Sequence, residues 1–133
     1  MQRHRCIEHV GEIELELEAE SAGGVFAEAL AAFRELVDGA GTYGPPRRHE
    51  IEIAGETPPA LLAHWLEELA FLADAQAFVP ARVVEIDVTG SGLRSIVEGN
   101  HGRPRHVVKA VTFDHLELVR SEGRWHGHVV LDV

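Results

Sequence analysis

The chain of 133 residues contains a single cysteine, Cys6, so it cannot form an internal disulfide. A lone thiol fits the reducing cytosol, because disulfide frameworks belong to oxidising compartments. No segment approaches the roughly 20 apolar residues that a membrane-spanning helix needs. The N-terminal stretch Met1–Cys6 is charged and has no apolar run behind it, which predicts that no secretory signal is present. These absences predict a cytoplasmic protein with no membrane segment.

Basic residues are also scarce, since 12 Lys and Arg stand against 22 Asp and Glu and give a formal net charge of −10. Phosphate backbones are bound by clustered cations, so the composition argues against direct binding of nucleic acid. The basic spots at 3–5, 47–48 and 103–105 are short and are predicted to be solvated loops. An acidic surface suits docking against a basic protein, through which RNA is then reached only indirectly.

Motifs of several common enzyme classes are missing. The chain has no G-x-x-x-x-G-K-[ST], no G-x-S-x-G and no C-x-x-C. These motifs would supply a phosphate cradle, an exposed serine nucleophile or a pair of metal-binding thiolates. The sequence therefore predicts neither a P-loop nor a zinc-finger function.

The periodicity that is present predicts a strand and two helices in the first half of the chain. Glutamate and apolar residues alternate over 12–20, with Ile13, Leu15 and Leu17 on the inward face of a strand. Apolar residues then recur at helical spacing after Ser21 and after Thr57, residues that suit helix caps. Gly39 is expected to end the first helix, and Trp65 to anchor the core from the second.

The remaining chain predicts a run of strands and irregular connections. Strands are expected over 49–54 and from residue 78 to the end, including one over 107–113, with turns at 89–92, 99–104 and 121–124. The stretch 9–11 and the loop 39–46 are expected to be irregular. The pattern indicates an α+β fold, a single domain over 1–133 with two helices packed on one mostly antiparallel sheet.

Two acidic residues differ from the many carboxylates that are expected to face solvent. Glu12 stands where an irregular stretch becomes a strand, and Asp132 lies on an otherwise apolar last strand, with a terminal carboxylate on Val133 beside it. An acid in an apolar strand either faces water or has a partner, and closely placed hard oxygens suit Mg²⁺ or Ca²⁺. Spacing alone leaves both a metal site and an exposed strand end open.

Other polar residues also have two interpretations. His9 is either a ligand or a hydrogen-bonding cap, and Lys109 is an alternating surface position in an apolar strand or a functional cation. His126 and His128 share one strand face as an H-x-H pattern, which can bind a transition metal. Nothing in the sequence requires that site.

Four segments in register resemble the archease family. Residues 7–13 resemble its E-H-T-A-D-I motif, and 61–69 resemble its L-L-x-x-W-L-N-E-L-L helix. Residues 108–113 resemble its I-K-A-V-T-Y-H strand, and 125–133 its W-x-x-x-V-V-L-D-V ending. Each motif is weak alone, but their order and separations match over nearly the whole chain. The resemblance implies the family's α+β fold.

The resemblance also implies a function, that of a non-enzymatic accessory factor of an RtcB-type RNA ligase in tRNA splicing or RNA repair. Such a factor promotes guanylylation of the ligase and lets it turn over repeatedly. The metal ligands implied by the family are Glu12, Asp132 and Val133, with His9 at the same tip and Lys109 as a candidate partner contact. The implied cofactor is a divalent ion (calcium, magnesium or manganese), and a monomer is expected.

This chain departs from the family's pattern at several positions. Glu12 replaces an Asp, Val10-Gly11 replaces Thr-Ala, and Asp114 takes the place of a His that is shifted to His115. The carboxylate at position 12 therefore reaches one methylene further. Two alternatives stay open, an archease-like interaction module with a different partner and a small metal-dependent hydrolase.

Overall fold

A computed structural model describes residues 2–37 and 42–133, which contain seven strands and two helices. The strands are β1 (Arg3–His9), β2 (Glu12–Ala19), β3 (Thr42–Ala54), β4 (Phe78–Val88), β5 (Gly92–Gly102), β6 (Ala110–Ser121) and β7 (Arg124–Asp132). The helices are α1 (Ala22–Val37) and α2 (Pro58–Gln76). The predicted α+β class is confirmed. Neither helix is both long and apolar enough to cross a bilayer.

The strands form two antiparallel sheets where the sequence pattern predicted one. The first sheet has the order β1-β2-β7-β6, and the second has the order β3-β5-β4. Each helix contacts strands of both sheets, and one apolar core lies between the two sheets and the two helices. Periodicity identifies the buried face of a strand but does not specify its partners, which is why the division into two sheets was not predicted.

The core confirms the inward residues predicted for β2 and α2. Leu15 and Trp65 are fully buried, and Leu17 and Ile13 are buried beside them. The Trp65 indole N–H donates to the carbonyl oxygen of Phe26 at 2.9 Å, and the two rings meet edge to face with centroids 6.0 Å apart. Because the indole's polar atom is satisfied inside the core, Trp65 joins α2 to α1 without a desolvation penalty.

The predicted helix starts are confirmed. Ser21 Oγ accepts a hydrogen bond from the Gly24 amide at 3.0 Å, at the start of α1. Thr57 caps α2 by accepting from the Ala60 amide, and proline follows it at the first helical position. Gly39, expected to end α1, lies outside the described residues.

Several segments predicted as irregular are strands. The charged stretch Arg3–His9 pairs with β2 along its whole length, so Arg3 and Arg5 lie on a strand. Residues 42–48 belong to β3, and 99–102 belong to β5. In β3, a register shift between Tyr43 and Arg47 breaks the alternation of buried and exposed residues. Strand β1 is a charged edge strand and has no alternation of apolar residues from which it could be predicted. The strand expected to begin at 107 starts at Ala110 instead.

Gly99 allows two strands to approach closely. A Cβ at this position would overlap the carbonyl oxygen of Val79 and lie 2.9 Å from the Cα of Pro80, at a register shift between β4 and β5. Pro80 lacks an amide proton, so the strand pair is irregular here. Only glycine fits this crossing without a backbone shift.

We expect Gly99→Ala to lower the free energy of unfolding by about 2 kcal/mol, since backbone atoms cannot yield as a flexible side chain would. Urea denaturation measures this as a lower midpoint at unchanged slope. Gly90→Ala is the matched control, because no heavy atom lies within 4 Å of its added Cβ. Equal midpoints for the two variants would contradict the close approach at Gly99.

His4 joins the edge strand β1 to helix α1. Its Nδ1 lies 2.6 Å from Glu28 Oε1 and its Nε2 lies 3.0 Å from Glu35 Oε1. Carboxylates only accept hydrogen bonds, so both contacts are hydrogen bonds when the ring carries two protons. Burial lowers the pKa of His4, but the two glutamate hydrogen bonds outweigh it, and the pKa is raised above 6.5.

A histidine whose pKa is higher in the folded than in the unfolded state stabilises the fold. This stabilisation is fully present at a pH below the unfolded-state pKa and is lost as the pH rises through the folded-state pKa. We therefore expect His4→Gln to cost about 1.5 kcal/mol near pH 6 and clearly less at pH 8.5. Urea unfolding of both proteins across this range gives the difference. A cost that is constant with pH would show that folding does not raise the pKa of His4.

Candidate functional site

One end of the four-stranded sheet collects the acidic residues singled out in the sequence. Glu12 and Asp132 are directly opposed in the β2–β7 register, and His9 is opposed to Glu12 in the β1–β2 register. The Val133 amide donates to the Gly11 carbonyl oxygen at 3.1 Å, which fixes the end of the chain against the hairpin turn. We call these residues, Gly11, Glu12, Asp132 and Val133, the acidic tip.

The two carboxylates of the tip lie on the same face of the sheet. Directly opposed residues of antiparallel strands have Cβ atoms about 4.5–5.5 Å apart and interact across the strands. Within residues 2–37 and 42–133, neither Glu12 nor Asp132 forms an ion pair. The fold therefore places two like charges side by side without a compensating cation.

The other outward glutamates of β2 differ from Glu12, because each has a cationic or histidine partner. Glu18 accepts from Arg3 and Arg124 at 2.6 Å each, and these bonds hold its pKa below the ordinary value. Arg5 donates to Glu16 at 3.4 Å. Along one strand, then, the uncompensated carboxylate is the one that faces Asp132.

Glu14 also has partners, and sequence reasoning missed this residue. His9 Nε2 lies 3.2 Å from one carboxylate oxygen of Glu14 and His128 Nε2 lies 3.6 Å from the other. The His9 hydrogen bond is the main cause of a lowered Glu14 pKa. His9 thus contacts Glu14, two residues beyond Glu12 on the same strand face, and that spacing was the signal available in the sequence.

His126 and His128 occupy one strand face as predicted. The ring of His128 donates through Nδ1 to the carbonyl oxygen of His115 at 2.7 Å, which leaves Nε2 directed at Glu14. Among the residues that the structure describes, no group of three or more His, Cys, Asp and Glu side chains is arranged to hold a metal ion. The H-x-H pattern is therefore part of a hydrogen-bonded surface.

Lys109 lies beside Asp132 but outside a strand. Its amide donates to the Asp132 carbonyl oxygen at 2.8 Å, and its side chain is exposed. The predicted alternating strand position is wrong, because β6 begins one residue later, at Ala110, which pairs with Asp132. The backbone bond places the main chain of the exposed residue Lys109 beside Asp132.

A cavity of about 340 Å³ adjoins the tip on the side of α1. Its apolar lining is Ile13, Leu36, Val108 and Val133, and its polar lining is Glu8, His9, Glu35 and His106. Neither Glu12 nor Asp132 is among the residues that line it. The hydrolase alternative requires reacting carboxylates within a pocket, and in the described part of the chain the cavity and the paired carboxylates are separate.

The donors at the tip fit a hard divalent cation such as Ca²⁺, Mg²⁺ or Mn²⁺ better than a transition metal that prefers thiolate or imidazole ligands. Two carboxylates and the backbone oxygen of Val133 are oxygen donors, and Mg²⁺ in particular keeps several waters and needs few protein ligands. The last turn of α1 lines the adjoining cavity, and a helix C-terminus carries partial negative charge. The local field therefore favours a cation.

Comparison with known proteins gives one consistent family. The model of the Archease protein family (MTH1598/TM1083) matches residues 4–133. A protein archease of Methanopyrus kandleri is 30% identical over 135 residues, which cover 96% of this chain and 96% of the relative. A protein archease of Methanosarcina mazei is 29% identical over 98% of this chain and 96% of its own length.

Two solved structures share the fold. The solution structure of Methanobacterium thermoautotrophicum protein 1598 has a TM-score of 0.72 and 25% identity, with 98% of each chain covered. The crystal structure of an archease from Thermotoga maritima, described as a possible chaperone, has a TM-score of 0.71 and 19% identity. It covers 97% of this chain and 96% of its own, and at that identity it supports the fold alone.

The paired carboxylates of the tip should reduce the stability of the metal-free protein. We expect Asp132→Asn, in excess chelator and low salt, to raise the free energy of unfolding by about 0.5 kcal/mol, because it removes a like-charge pair. Urea unfolding measures the change. Asp87→Asn is the control, since exposed Asp87 is opposed to Arg94 in register and should gain nothing. A destabilised Asp132→Asn protein would show that this carboxylate has a favourable partner.

Proposed function

The chain belongs to the archease family, and from this premise we propose that it is a non-enzymatic accessory factor of an RtcB-type RNA ligase. In this role it promotes guanylylation and repeated turnover of the ligase in tRNA splicing or RNA repair. The observation that carries the proposal is Glu12 opposite Asp132: among the described residues Glu12 forms no ion pair, whereas the other outward glutamates of β2 have partners. Closely placed carboxylate oxygens at a defined end of a fold suit a divalent cation.

In this proposal the acidic tip is the working end. Glu12, Asp132 and the backbone oxygen of Val133 would hold a divalent ion (calcium, magnesium or manganese), and such an ion neutralises triphosphate charge during nucleotide transfer. The β2–β7 pairing keeps the two carboxylates opposed before the partner binds. The hydrogen bond from the Val133 amide to the Gly11 carbonyl oxygen fixes residue 133 beside the turn that precedes Glu12. The tip is thereby preorganised.

The partner supplies what this chain lacks. With a net charge of −10, the protein would approach a basic ligase surface under favourable long-range attraction. RNA would then be contacted only through the ligase. Exposed Lys109 is the candidate contact to a phosphate or carboxylate at the edge of the tip. We place this assembly in the cytoplasm, with the accessory protein as a monomer.

A second candidate is an archease-fold interaction module that serves a different partner. Glu12 favours it, because the longer side chain stands where the family has Asp. The extra methylene of Glu12 changes the position of its carboxylate oxygens relative to those of Asp132. A tip with altered geometry could retain the fold and the partner surface while it loses the original ligase.

The test is multiple-turnover RNA ligation by the RtcB-type ligase of the same organism, at fixed Mn²⁺ and GTP, with and without this protein. We expect stimulation by the unchanged protein and a loss of about tenfold or more in Glu12→Gln and Asp132→Asn, as for the removal of metal-site groups. Asp87→Asn, an exposed acid on another strand, is the matched control and should stimulate fully.

Thermal unfolding of this protein alone, with millimolar calcium, magnesium or manganese, tests metal binding independently of the ligase. Ion binding to the folded state raises the melting temperature, and the two tip variants should lose that increase. Stimulation that persists in both variants would show that the acidic tip is not the working end. If the folded, unchanged protein fails to stimulate an active ligase, the second candidate is favoured.

A further inference from the structure

Three ring side chains lie along one surface formed by α2 and β6. Phe71 on α2 is 52% exposed and Phe113 on β6 is 59% exposed. The rings of Phe113 and His64 are 6.5 Å apart between centroids, at 70°. His64 precedes Phe71 by seven residues, or about two helical turns, so both lie on the same side of α2. We call this surface, His64, Phe71 and Phe113, the α2–β6 face.

The core does not account for these exposed rings. The buried side of α2 is already filled by Leu62, Trp65 and Leu69, which are completely inaccessible. On β6, Val111 and Leu118 supply the buried contacts. An exposed phenylalanine contributes little to folding, and exposed apolar rings on two packed elements, rimmed by polar residues, are typical of a protein-binding surface.

The rim of the α2–β6 face is acidic. Helix α2 carries Glu67, Glu68 and Asp74 and has no Lys or Arg. Strand β6 adds the exposed Asp114, and its single Lys or Arg residue, Arg120, lies near the opposite end of the strand. A partner that binds this face must therefore carry positive charges around the apolar side chains that contact the exposed rings.

The charge distribution also decides between kinds of occupant. A second copy of this chain would bring the same acidic rim to a two-fold interface, where like charges repel. A nucleic acid would be repelled in the same way. A basic protein segment is the occupant that complements both the rings and the rim.

We propose that the α2–β6 face docks a basic segment of the partner protein, whose apolar side chains pack on Phe71 and Phe113. Strand β6 runs from this face to the acidic tip, because Ala110 at its start is paired with Asp132. A partner bound along α2 and β6 would therefore reach the end of the sheet that carries Glu12 and Asp132. The identity of the partner as an RtcB-type ligase rests on the proposed function.

The segment docks through its side chains rather than as an added strand. The register of β6 shifts between Thr112 and Glu117, and His115 within this stretch has a φ of 58°. Such a bulge interrupts the row of free backbone groups that strand addition requires. The exposed Phe113 ring lies at the start of the same irregular stretch.

Binding of the ligase to single variants, measured by calorimetry, tests the apolar anchors. We expect Phe71→Ser and Phe113→Ser each to weaken Kd by about tenfold or more, as for interface hot spots. Val119→Ser is the matched control, because Val119 is 40% exposed on β6 but is opposed to His126 on the other face. Its Kd should change less than twofold. Equal effects of Phe113→Ser and Val119→Ser would overturn the proposal.

Charge is tested with an isosteric triple variant. Glu67→Gln, Asp74→Asn and Asp114→Asn together should weaken binding and flatten its salt dependence. The control triple, Glu52→Gln, Asp87→Asn and Glu122→Gln, removes the same charge from exposed sites elsewhere. If both triples weaken binding equally, net charge and not this rim attracts the partner.

The docking face and the proposed function fail in different ways. Asp132→Asn should bind the ligase without stimulating it, whereas Phe113→Ser should stimulate at saturating concentration. If the ligase neither binds nor responds, the proposed function fails, and an 18-residue amphipathic Lys/Leu peptide becomes the probe. Amide NMR shifts centred on Phe71 and Phe113 support the face, and shifts centred on the outward glutamates of β2 overturn it.

Discussion

The pairing of β2 with β7 is the constraint on which the site depends. Glu12–Ala19 lies antiparallel to Trp125–Asp132 at the centre of the four-stranded sheet, so strands from the two ends of the chain are neighbours. The inward side chains of this pair, such as Leu15 and Val129, are completely buried. Because the period of a strand is two, that burial fixes which residues face outward. It therefore also fixes Glu12 opposite Asp132.

The local parts of this arrangement could be predicted from sequence. The strict alternation over β2 specifies its buried face, and Thr57-Pro58 specifies the start of α2, because both signals depend only on near neighbours. Trp65 was placed correctly because its apolar stripe is long. Glu12 and Asp132 were singled out as candidates by position and by family resemblance, and their direct opposition required a register that no local pattern contains.

The parts that could not be predicted involve long-range pairing or irregular backbone. Strand β1 is an edge strand whose charged residues, including Arg3 and Arg5, leave no alternation of apolar residues in the sequence. Both arginines contact glutamates of β2, which only the structure shows. The sequence pattern predicts a loop where β3 begins, since a register shift after Tyr43 breaks the strand alternation there. The α2–β6 face also could not be predicted from the sequence. Phe71 and Phe113 lie in apolar patterns that predict buried residues, and only their solvent exposure in the structure distinguishes them from core residues.

The acidic tip exists only in the folded chain. Its two carboxylates come from strands near opposite ends of the sequence, so any opening of the β2–β7 pair separates them. A ligand that needs both carboxylates binds the folded state alone, and its binding free energy adds to the stability of that pair. The repulsion between Glu12 and Asp132 acts in the opposite direction and is relieved by the same ligand. A cation that bound this tip would therefore be coupled to two strand pairings, β2 with β7 and β7 with β6, since Asp132 is paired with both Glu12 and Ala110.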